Sequence, residues 1–147
     1  MLNEYYPFES IIDDAHFIFK SKGNEGIVLK MVILSHIGQE RWNLGFGDLT
    51  DDGLDDSVMT SNHDAAQVMR TVARIAYEFL EKNPNRSIFI EPVDERRKRF
   101  YNALFQRYVK DIEPLFDIFG LIERQEPKPY SPLKIYNFFV LKINNHE

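Results

Sequence analysis

The sequence predicts an α/β (α+β) fold, an antiparallel-rich mixed sheet with two packed amphipathic helices in the order β-β-β-α-β-α-β-β. Three observations predict it. Aromatic and β-branched residues alternate on either side of a glycine-bounded turn, two later stretches carry apolar stripes at helical spacing, and a short apolar segment lies between those stripes.

From Ala15 to Ile37, Phe17 and Phe19 and then Val28, Lys30, Val32 and Leu34 recur at every second position around Gly23-Asn24-Glu25-Gly26. This reads as two strands joined by a hairpin loop. A third strand, Arg41 to Gly47, sets Trp42, Leu44 and Phe46 against Asn43, Gly45 and Gly47. The three form a meander. Asp48 to Asp56 is acidic and contains Gly53, so an exposed loop is expected there.

The first helix is expected near Ser61-Asn62-His63-Asp64, where Ser61 or Asn62 can cap open backbone N–H groups and Asp64 suits the positive helix end. Val68, Val72, Ile75, Ala76 and Phe79 make its apolar stripe, and Asn83-Pro84-Asn85 stops it. Ser87-Ile88-Phe89-Ile90-Glu91 then reads as a central strand. A second helix follows Pro92, with Tyr101, Leu104, Phe105, Tyr108 and Ile112 on one face and an end near Pro114. Strands over about Asp117 to Glu123 and Lys134 to Ile143 close the chain, with Pro127 to Pro132 as the loop between them. Val72, Ile75, Phe79, Leu104, Phe105 and Ile112 are the expected core of the two helices.

At 147 residues the expectation is a single domain, 1–147. The N-terminal residues show neither a basic stretch nor an apolar run, and a cytoplasmic protein is expected. There are no cysteines, so disulfides and thiolate metal sites drop out. A net charge of −5 weighs against broad nucleic-acid binding, and no membrane association is expected. His16, His36, His63 and His146 show no metal-ligand spacing. The acidic run has Met59 where a calcium loop needs its bidentate Glu. No metal or cofactor is expected.

Arg96-Arg97-Lys98-Arg99 places four cations in the first turns of the second helix, against the helix dipole, so a compensating partner is expected. Arg97 or Arg99 is expected to reach an acid of the Asp48 to Asp56 stretch or an external anion. Arg97 and Arg99, with Ser61 and Asn62, are the candidate ligand-binding residues.

Trp42-Asn43-Leu44-Gly45-Phe46-Gly47-Asp48, Ser61-Asn62-His63-Asp64, Thr71-Val72-Ala73, Ile88-Phe89-Ile90-Glu91 and Arg97-Lys98-Arg99-Phe100-Tyr101 together resemble a family of short uncharacterised Bacteroidetes proteins, a domain of unknown function. That resemblance implies a compact bacterial protein. The order of elements from Asp64 through Ser87 to Glu91 and Arg96 to Tyr101 also resembles the later half of the GCN5-related N-acetyltransferases. By that resemblance Tyr101 is the candidate catalytic acid, protonating a departing coenzyme A thiolate.

In such enzymes a Gly-rich turn brings bare backbone N–H groups to the coenzyme's diphosphate. Here no glycine lies between Gly53 and Gly120, and Asp64 puts a negative charge at that helix start. The expectation is therefore a non-catalytic binding or regulatory module on an acetyltransferase-like scaffold, with a divergent acyl-coenzyme A-dependent N-acyltransferase as the alternative. Its expected partner is a protein, a small anionic ligand or a second copy of the chain.

Overall fold

A computed structural model describes residues 4–51, 53–55 and 63–144. Along them run β1 (Phe8–Ile11), β2 (His16–Gly23), β3 (Gly26–Gly38), β4 (Arg41–Thr50), β5 (Gly53–Asp55), α1 (Ala65–Lys82), β6 (Ser87–Ile90), α2 (Glu95–Ile112), β7 (Phe116–Leu121), β8 (Lys128–Pro129) and β9 (Phe138–Ile143). The hydrogen-bonded strand order is β1-β2-β3-β4-β6-β9-β7-β8, with β5 on β4. This is the mixed, mostly antiparallel sheet with two helices that the periodicities predict, extended by the short strands β1, β5 and β8.

Two compact units divide the chain, one from Leu2–Ser35 and Leu44–Phe79, the other from His36–Asn43 and Leu80–Glu147. In the first, β2 and β3 pair from His16↔Ile33 to Gly23↔Gly26, and the left-handed φ of 87° at Gly26 closes the hairpin. β1 pairs with β2, from Phe8↔Phe19 to Ile11↔His16. Its brief pattern, Phe8-Glu9-Ser10-Ile11, offers too few alternations to mark a strand in the sequence. Phe17, Phe19, Val32, Leu34, Leu44 and Phe46 are buried, as are Val72, Ile75 and Phe79 of α1. Each such side chain contributes about 1.5–3 kcal/mol through burial.

One expectation fails here. Asp48 to Asp56 is not simply an exposed loop: β4 continues through Asp48 to Thr50, and Gly53–Asp55 folds back on it with Asp48↔Asp55 and Leu49↔Leu54 in register. Asp48 is only 5% exposed. The acidity that suggested solvent instead marks a buried carboxylate at the same alternation phase as Leu44 and Phe46.

In the second unit, β6 pairs with β9 and β9 with β7, all antiparallel. Arg41–Asn43 of β4 and Ser87–Phe89 of β6 pair in parallel. α2 buries Asn102, Phe105, Tyr108 and Ile112. Leu104, expected in the core, is half-buried. The final strand is shorter than the sequence suggests, because residues 134–137 form a bend instead of extending β9. No helix among the described residues is long and apolar enough to cross a membrane.

Candidate functional site

The cationic turn of α2 is organised by Asp94. This N-cap residue has extended backbone (φ −152°, ψ 173°), and its carboxylate accepts the Arg97 backbone N–H at 2.8 Å. The Arg97 guanidinium closes on the same carboxylate at 2.9 Å. Asp94 thus offsets both an open helix N–H and a cation that the dipole disfavours. One carboxylate that meets the Arg97 guanidinium is thus three residues upstream on its own helix end. Part of the Asp48 to Asp56 stretch expected to meet Arg97 or Arg99 lies outside the described residues.

Arg99 is exposed. With Lys98, Glu95, Asn102, Gln106 and Ile135 it lines a groove of about 270 Å3 along α2. Asn102 fixes one wall, since its side-chain amide donates to the Tyr136 carbonyl at 2.9 Å and its carbonyl accepts the Tyr136 N–H at 2.8 Å. A further bond from the amide to the Lys98 carbonyl, 2.8 Å long, ties the wall to the turn that carries the cations.

Tyr101 is half-buried and packs edge-on to Phe100, with ring centroids 5.7 Å apart. Two residues along a helix turn the side chain by about 200°, so Tyr101 and Arg99 leave α2 in nearly opposite directions. Arg97 and Tyr101 are one turn apart on a shared face. The structure therefore joins Arg99 to Lys98 and Asn102, and separates it from Tyr101. Ser61 and Asn62 lie outside the described residues. α1 itself starts at Ala65, and the Asp64 carbonyl accepts the Val68 N–H at 3.0 Å.

A second cluster, which sequence reasoning did not single out, lies inside the first unit. Lys30 of β3 and Asp48 of β4 form an ion pair of 2.5 Å, with both residues at most 5% exposed. Near the start of α1, the Asp64 carboxylate accepts the Tyr6 hydroxyl at 2.6 Å and the Ser21 hydroxyl at 2.5 Å. Tyr6 is tied down at its backbone as well, where its N–H donates to Thr71 Oγ1 at 2.8 Å. Burial first, and then the Asp64 hydrogen bond, push the Tyr6 hydroxyl above the ordinary phenol range. The signal for Lys30 was its place in the inward phase between Val28 and Val32. Nothing local marked Tyr6 or Ser21, because their partner stands more than 40 residues away.

Chemically, the interior cluster is a set of mutually satisfied groups, whereas the α2 groove presents cations to solvent. Among the described residues no group of three or more His, Asp or Glu side chains is arranged to hold a metal. No curated protein and no solved structure matches the chain. A family model does match, over residues 2–144, and the chain therefore belongs to DUF6934, a family of unknown function.

Proposed function

We propose that the chain is a cytoplasmic, non-catalytic binding or regulatory module on an acetyltransferase-like scaffold, and that its ligand is a small anion taken up along α2. The observation that carries this reading is the groove beside Lys98 and Arg99. Two cations stand at its edge, and the bidentate Asn102–Tyr136 contact holds its wall in place. A guanidinium offers paired N–H donors to a carboxylate or phosphate, and Lys98 adds a point charge. Glu95 on the same rim opposes highly charged ligands and favours a compact anion with a second, polar contact to Gln106.

The experiment is titration calorimetry with inorganic phosphate and small carboxylates against the intact chain and Arg99→Gln. Binding that weakens at least about tenfold in Arg99→Gln supports the reading. Equal heats from both proteins remove it.

One observation favours a second reading, a divergent acyl-coenzyme A-dependent N-acyltransferase. A parallel register of three residue pairs between β4 and β6, followed by α2 with the half-buried Tyr101, suits the strand order of that fold. Against it stands the Asp64 carboxylate at the head of α1, where an anionic coenzyme needs positive charge. Calorimetry with acetyl-coenzyme A separates the readings. Tight binding together with turnover that Tyr101→Phe abolishes would favour the enzyme.

A further inference from the structure

The strands β1, β2 and β3 bury one face and leave part of the other open. On the buried face, Phe17, Phe19, Ser21, Lys30 and Val32 are all enclosed. On the opposite face the register brings Glu9 beside Ile18, Lys20 beside Leu29, and Lys22 beside Ile27. Ile27 is 64% and Leu29 40% exposed, although both belong to regular strand structure. Met31, next along β3 on this face, is buried, whereas Ile27 and Leu29 stand open at the hairpin end. A groove of about 290 Å3 runs across it between Pro7 and Glu9 on one side and Lys20 and Lys22 on the other, floored by Ile18 and Leu29.

Exposed branched aliphatics that line up on one strand face, flanked by charge, mark an interaction surface more strongly than scattered ones do. The charges here are of both signs. Glu9, Lys20 and Lys22 are exposed and enter no ion pair among the described residues.

We propose that a second copy of this chain docks on this face, with Ile18, Ile27 and Leu29 of the two copies packed together and Glu9 of each copy meeting Lys20 or Lys22 of the other. The self-complementary charge carries the choice of occupant. A two-fold interface presents the same patch twice, so every contact from residue i to residue j occurs a second time from j to i. A patch holding an acid on one edge and lysines on the other meets that condition by itself. A purely acidic partner would leave Glu9 facing like charge, and a purely basic one would leave both lysines so.

Sedimentation velocity of the full chain tests this over roughly 1 to 100 µM, the range in which a modest interface populates a dimer. The expected result is a reversible dimer whose dissociation constant rises at least about tenfold in Ile27→Lys and Leu29→Lys. Because both side chains are already exposed, thermal melting at a concentration where all the proteins are monomeric should be unchanged and exclude misfolding. Charge reversal adds a sharper arm. Glu9→Lys alone and Lys20→Glu with Lys22→Glu alone should each weaken the dimer, and mixing the two variants should restore it as a heterodimer. A wild-type chain that stays monomeric, a dimer indifferent to Ile27→Lys, or charge variants that fail to recover on mixing each overturn the proposal. The monomeric outcome would leave the face to a different protein.

Discussion

The interiors of the two units differ in what specifies them. In the first, the core includes a buried ion pair and a carboxylate that gathers two hydroxyls, Lys30–Asp48 and Tyr6–Asp64–Ser21. In the second, rings predominate. Phe105 stacks on Phe139 at 4.1 Å between centroids, with Tyr130 and Tyr136 packed around them. Charge pairs demand that particular atoms meet, whereas ring clusters demand that volumes fit. The same sheet-and-helix grammar can thus be locked by electrostatic partners or by shape, and the two locks should break differently.

The largest effect is expected at the ion pair. Asp48→Ala removes the carboxylate beside a Lys30 that is 3% exposed, and should lower stability by about 3–5 kcal/mol in chemical denaturation. Adding Lys30→Met to Asp48→Leu should recover most of that loss, because a well-packed apolar pair often matches a buried salt bridge. A double variant as unstable as the single one would show that volume governs this unit as well.

The second unit should fail on volume alone. A Cβ at Gly120 would run into the Tyr136 ring, and Tyr136 is 2% exposed. Gly120→Ala is therefore expected to cost about 3 kcal/mol, and Tyr136→Leu in the same chain should relieve part of it. The polar element of this unit is smaller in effect. Asn102→Ala strips both bonds from the Tyr136 main chain and should cost about 2 kcal/mol, with the thermal midpoint as the readout. At the surface, Asp94→Ala removes the α2 cap and should cost about 1 kcal/mol.

A pH test compares the units without truncating a core. The folded state holds the Tyr6 proton more tightly than the unfolded chain does, through burial and then Asp64. Its contribution is complete below the unfolded pKa and is lost as pH climbs beyond about 10. Burial raises the Tyr130 hydroxyl in the second unit with the same sign. Tyr6→Phe should flatten the alkaline decline in melting temperature only in part, leaving the Tyr130 share. A decline that vanishes altogether would assign the whole effect to the first unit.

This contrast also explains what was legible in the sequence. The helices were, because Val72, Ile75 and Phe79, or Phe105, Tyr108 and Ile112, repeat within a few residues of one another. The long strands were legible for the same reason. β1 was not, because four residues carry little period and its partner supplies the register. Asp48 misled, since an acid among acids suggests solvent until a lysine eighteen residues earlier faces it from the neighbouring strand. At α2 the run of cations was visible, but its division was not. Only helical geometry and the Asp94 cap send Arg97 back to its own helix end, Arg99 to the groove and Tyr101 to another face.

The hydrogen bond from the Tyr6 N–H to Thr71 joins residues 65 positions apart. A ribosome adding about 5–20 residues each second makes Thr71 roughly 3–13 s after Tyr6. Through that interval the β2–β3 hairpin can pair, yet Tyr6 and Ser21 have no Asp64 to meet. An aromatic segment is then available to chaperones or to another nascent chain. The arrival of α1 ends that exposure, so a pause in translation between the codons for Ser21 and Asp64 should lower soluble yield more than an equal pause after Phe79.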